Sequence, residues 1–98
     1  VEQLLELSSA ENKEVSMEKL DFSHVVTGEV LVFETLAFER RKTLQSTIEE
    51  EISLTGNQNQ LTQVVAVLLD NALRHTTGNQ IDLILQRRAH NAVLSVTT

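Results

Sequence analysis

The sequence predicts an α+β fold, a two-layer α/β sandwich with helices on one face of a mixed, mostly antiparallel sheet. Three observations predict it. Two segments, 24–42 and 58–76, repeat their apolar residues at helical spacing, and an alternating segment lies between them. Two further alternating runs, 79–87 and 92–96, are joined by a short polar stretch, as in an antiparallel hairpin.

Taken in order, Val1 to Ser9 holds Leu4, Leu5 and Leu7 in what reads as the frayed end of a helix, and Ser8 to Ser16 is a polar, charged linker. Asp21-Phe22-Ser23 follows, where Ser23 is a good N-cap. Val25, Val26, Val30, Phe33, Leu36 and Ala37 then keep helical spacing up to Arg40-Arg41-Lys42, cations that would oppose the helix dipole in a last turn. From Thr43 to Glu49 the period changes to two, with Leu44, Ser46 and Ile48 on one face, which predicts a strand. Glu50 to Gly56 reads as a short strand or an extended link. Asn57 can cap a second helix, with Gln60 at capping-box spacing and Gly78 as its stop. Ile81, Leu83 and Leu85, then Ala92, Leu94 and Val96, face one way on two strands joined by Arg88-Ala89-His90-Asn91.

Composition bounds the function. The formal charge is −6, from 14 acidic and 8 basic residues, which disfavours nucleic acid and anionic membrane as partners, so any phosphate would have to be held locally with the help of a metal ion. A 98-residue chain is one small domain or part of one, and such a domain buries roughly 60–65% of its unfolded surface. The three aromatics are all Phe, so the core must be aliphatic. Without Cys the chain can form neither a disulfide framework nor a thiolate metal site. No run of about eighteen apolar residues is present to span a membrane. The first residue is Val, as in a piece cut from a longer protein.

The second helix carries the most informative pattern. Leu61, Val64, Val65, Leu68 and Ala72 form its apolar stripe; Val67, Asn71 and Arg74 share a strip beside it, with His75 at the core-side edge and Asp70 pointing away. Asn is costly within a helix. Its carboxamide oxygen is a hard donor that Mg²⁺ accepts, Arg74 could hold a phosphate with a forked hydrogen bond, and His75 could add another donor. A plainer reading, favoured on spacing alone, makes Asn71 a residue bonding a neighbouring loop, Arg74 a solvated charge and His75 a satisfied histidine. Glu49-Glu50-Glu51 and Arg87-Arg88 read as solvated turn and hairpin ends, without the aromatic interleaving of a nucleic-acid surface.

The segment Gln63-Val-Val-Ala-Val-Leu-Leu-Asp-Asn-Ala-Leu-Arg-His-Thr76 resembles the N box of sensor histidine kinases. Leu4-Leu-Glu-Leu-Ser-Ser-Ala-Glu11 resembles the end of that family's dimerisation helix, Leu20-Asp-Phe-Ser23 the entry to its ATP-binding domain, and Thr55 to Gln63 the turn that caps the N-box helix. The resemblance implies an incomplete Bergerat-type ATP-binding sandwich, the fold that histidine kinases share with DNA gyrase and MutL. It divides the chain into 1–19, the end of the dimerisation helix and a linker, and 20–98, the N-terminal part of the catalytic domain. Asn71 would ligate Mg²⁺ on ATP, Arg74 would contact the phosphates and His75 would lie near the nucleotide. No residue of the chain is implied as catalytic, because His24, His75 and His90 all lack the surroundings of the family's phosphoacceptor, whose helix is expected before Val1. The chain also stops ahead of the family's first glycine-rich box, which reads adenine, so the fragment alone is expected to bind ATP weakly or not at all. The parent is expected to be a membrane-bound sensor with this part in the cytoplasm, without membrane contact of its own. It would be a homodimer through helices upstream of Val1 and would pass its phosphoryl group to a response regulator.

Val67 departs from the family pattern. It stands where histidine kinases usually have a second Asn and gyrase-like ATPases the Glu that activates water. A valine removes one metal ligand and supplies no base, which opens a second reading, a degenerate kinase domain that only binds partners; a third is a structural α/β domain with no nucleotide.

Overall fold

The computed structural model describes residues 2–7 and 18–98. A four-stranded sheet has the order β1-β6-β5-β3, built from β1 (Glu2–Leu7), β3 (Thr43–Ile48), β5 (Gln80–Arg88) and β6 (Asn91–Thr97). β6 runs antiparallel to both β1 and β5, while β3 runs parallel to β5. β2 (Glu18–Asp21) and β4 (Ser53–Gly56) form a separate antiparallel pair. Helices α1 (Phe22–Glu39) and α2 (Gln58–His75) pack against each other, α1 over β3 and α2 over β6. The architecture is the expected α+β two-layer sandwich with a mixed sheet.

Alternation in the hairpin builds the floor of the core. Ile81, Leu83 and Leu85 of β5 and Ala92, Leu94 and Val96 of β6 are all buried. Their register partners Leu83↔Val96 and Leu85↔Leu94 keep these side chains on one face, as a period of two requires. On this floor lie Phe22, Val26 and Val30 from α1 and Val65, Leu69 and Leu73 from α2. Parallel pairing of β3 with β5 needs a long crossover, and β4 with α2 provides it.

Several local expectations need correction. The helical turn expected at the N-terminus is a strand: Glu2–Leu7 pairs with Thr97–Ala92, and the free edge of β6 outweighs the helix-favouring run of Glu, Gln and Leu. The expected linker, 8–16, lies outside the described residues. Asp21, not Ser23, caps α1, accepting from the His24 amide at 3.2 Å. Ser23 is buried, and its hydroxyl donates to the Glu49 carbonyl at 2.6 Å and accepts from the Ile52 amide at 3.0 Å, tying α1 to the turn before β4. The expected helix end at Lys42 falls at Glu39, because Arg40 is the C-cap and Arg41 takes a left-handed conformation with φ 59°. The cations therefore follow the last turn rather than complete it. The doubtful stretch before α2 does contain a strand, β4, and Asn57 caps α2 as expected, accepting from Gln60 N at 3.0 Å. α2 stops at an extended Thr76, and Gly78 has no positive φ, so no left-handed glycine terminates it.

The hairpin turn is tighter than the four-residue stretch expected, since Arg88 pairs with Asn91 and leaves Ala89-His90 as the loop. Ala89 has φ 56°, a conformation that glycine adopts without strain. A89G is expected to raise stability by roughly 0.5–1 kcal/mol, the relief of left-handed strain less glycine's larger unfolded-state entropy. Thermal unfolding followed by circular dichroism would register this as an upward shift in Tm; an unchanged or lower Tm would mean that the turn is not strained.

Candidate functional site

α2 sits with Val65, Leu69, Ala72 and Leu73 buried and Leu61 and Leu68 partly so. Its buried stripe is thus turned from the expected one toward Leu69 and Leu73. Val64 is exposed, and Val67 is 57% exposed. The strip of Val67, Asn71 and Arg74 consequently faces outward along the helix, as the phase count requires. His75 is also exposed, which corrects the expectation that it sits at the core-side edge.

Asn71 is half-buried, and its carboxamide makes no hydrogen bond among the described residues. A half-buried amide without a protein partner, inside a helix, is poorly explained by packing alone. Arg74 Nε lies 3.0 Å from Asp70 Oδ2, with side chains 64% and 45% exposed. An exposed pair of this i,i+4 type contributes about 0.3–0.5 kcal/mol, little enough for a phosphate to displace the carboxylate from the guanidinium. Just beyond, Thr76 Oγ1 is buried without a partner among the described residues. A free amide, a lightly held guanidinium and an orphaned hydroxyl therefore follow one another from Asn71 to Thr76.

Sequence reading missed the residue that holds this end of α2. Lys42 Nζ donates to the Gly78 carbonyl at 2.8 Å and to the Thr76 carbonyl at 3.4 Å, and the Lys42 amide donates to Ala37 O at 2.8 Å. The ammonium thus binds the exit of α2 to the end of α1 across 36 positions of sequence. No local pattern announces such a contact, since its acceptors are carbonyls of a distant loop.

The strip also borders an open cleft of about 470 Å³ lined by Gln60, Gln63, Val64, Val67 and Leu68. Its lining is mostly aliphatic and stops before Asn71. Among the described residues no three His, Asp or Glu side chains cluster as they would around a metal ion. A cation here would have Asn71 as a protein ligand and would need water and phosphate oxygens to complete its shell, a composition that suits Mg²⁺. No helix of the described residues is long and apolar enough to cross a membrane.

No family model matches the chain. It is 34% identical over 100 residues, 99% of its own length, to proteins named Sensor protein DltS from Streptococcus agalactiae serotype III (strain NEM316) and serotype V (strain ATCC BAA-611 / 2603 V/R). The chain is similar to one segment of a sensor protein. It spans a quarter of the length of these curated relatives.

Lys42 yields a test of how the site is supported. K42M, which keeps the aliphatic stem, is expected to lower stability by about 1 kcal/mol, the usual scale of a lost charged hydrogen bond at a partly exposed position. Amide hydrogen exchange in 76–80 should accelerate more than in β5 and β6. Uniform acceleration across the chain would show that Lys42 does not act locally on the exit of α2.

Proposed function

We propose that this chain is the N-terminal part of the catalytic ATP-binding domain of a two-component sensor histidine kinase, and that the outer strip of α2 binds the phosphates of Mg-ATP. The observation that carries the proposal is the unpartnered Asn71 amide one turn ahead of the exposed Arg74, at matching positions of an N-box-like segment. Similarity to a sensor protein over nearly the whole chain supports it.

In this reading Asn71 supplies one oxygen to Mg²⁺ and Arg74 leaves Asp70 to contact the phosphates. His75, exposed at the end of the helix, lies close enough in sequence to add a polar contact near the nucleotide. Phosphoryl transfer depends mainly on position and charge neutralisation, so a strip of this kind contributes by holding the triphosphate in place. The accepting histidine lies outside the chain, and the phosphoryl group passes on to an aspartate of a response regulator. The parent is a membrane-bound homodimer in this reading, with this segment in the cytoplasm.

In the full-length parent, N71A is expected to reduce autophosphorylation by roughly tenfold to a hundredfold, the scale on which metal-site residues act. Retained folding would be checked by circular dichroism and transfer followed with labelled ATP. Undiminished autophosphorylation in the folded variant would sink the assignment.

One observation favours a second reading, in which the domain is degenerate and binds partners without catalysis. Val67 is exposed at the aliphatic cleft, at the position where the family has a metal-binding Asn. If the parent is inactive and V67N restores measurable autophosphorylation, the degenerate reading is correct. A parent already active with Val67 in place excludes it.

A further inference from the structure

The outward face of α1 carries a pattern that the core does not use. His24, Gly28, Leu31, Thr35 and Phe38 are all exposed, and they follow one another at spacings of four, three, four and three. This is the four-three spacing of a coiled-coil seam, with Leu31 and Phe38 as its apolar members. Leu31 is 62% and Phe38 82% exposed, on the side of the helix opposite Val26, Val30 and Ala37. A soluble helix ordinarily turns charged and polar side chains outward at such positions. Gly28 adds an independent observation. A Cβ built there would meet nothing within 4 Å among the described residues, and neither packing against them nor backbone conformation requires glycine. Glycine in a helix interior costs about 1 kcal/mol against alanine, and what it offers in return is a place where another helix can approach closely.

Charge along the same helix selects what approaches. At its N-terminal end a cup of about 500 Å³ is lined by Asp21, His24, Thr27, Glu50 and Glu51, among others. At its C-terminal end Arg40 and Arg41 are exposed, and neither has an acidic partner among the described residues. A second copy of the helix laid antiparallel brings each basic end to the other copy's acidic cup. Antiparallel seams set a positions against d positions. With Gly28 opposite Leu31, each copy seats its Leu31 over the glycine of the other, Thr35 meets His24, and Phe38 and Arg41 reach the N-terminal end.

We infer that α1 is a self-association surface on which two copies of this chain pair antiparallel through Leu31 and Gly28, with Arg41 directed to the acidic cup around Glu50. A single helix pair of this length is at the small end of stable interfaces, so the dimer is weak and reversible. The surface is separate from the outer strip of α2 and does not depend on nucleotide binding.

Sedimentation velocity across the micromolar range tests this on the 98-residue chain. The wild type should shift from monomer to dimer as concentration rises, and L31E, which alters an exposed position, should raise the dissociation constant by at least about tenfold while leaving Tm unchanged. R41E should weaken the dimer, and R41E/E50R should regain most of the loss, because the charge reversal is complementary between antiparallel copies. A chain that stays monomeric throughout, association indifferent to L31E, or no recovery in the double variant would each overturn the inference.

Discussion

The constraint on which the rest depends is the burial of one shared face of β5 and β6 beneath the helices, alternate along β5 and part of a wholly buried run, residues 92–96, in β6. Ile81, Leu83, Leu85, Ala92, Leu94 and Val96 form one continuous apolar floor, and a one-residue slip in their pairing would turn that set away from the helices. Both helices must lie on this floor, and the close contact between α1 and α2 limits how each can rotate. With Leu69 and Leu73 turned to the core, α2 has no freedom to hide Val67 or Arg74. The exposed strip is a consequence of where the helix must bury its leucines.

Much of this was legible in the chain because the signals are local. Helical spacing over α2 and the alternation of Ile81, Leu83 and Leu85 over β5, repeated by Ala92, Leu94 and Val96 in β6, identify elements that face a common core, and Asn57 caps its helix by accepting from an amide only three residues away. What escaped sequence reading depends on distant partners. Ser23 looks like a cap, yet its hydroxyl is used by Glu49 and Ile52, and Asp21 takes the capping role. The first strand is written in residues that favour a helix, and its pairing with β6 lies at the far end of the chain. Lys42 belongs by sequence to a basic cluster and by structure to the loop after α2.

The candidate site divides along the same line. That Asn71 and Arg74 share a strip follows from helical phase alone. Whether those groups are available does not. The 3.0 Å contact between Asp70 and Arg74 depends on side-chain conformation, and Thr76 Oγ1 is buried without a partner among the described residues while its carbonyl is held by Lys42. His75 illustrates the limit: the expected stripe put it at the core-side edge, and a modest rotation of α2 toward Leu69 and Leu73 carried it into solvent.

Exposure has a different meaning on the two helices. On α2 the outward strip joins the exposed Val67 to Asn71 and to an Arg74 guanidinium that Asp70 already neutralises through a contact weakened by solvent. On α1 the outward face carries the exposed Leu31 and Phe38 near a glycine with open space above it among the described residues. No phosphate chemistry explains Leu31 or Phe38, and no packing among the described residues explains Gly28. The same sheet floor thus leaves two helices each with one unused face, and the chemistry of those faces differs: an amide and a guanidinium along α2, Leu31 and Phe38 along α1.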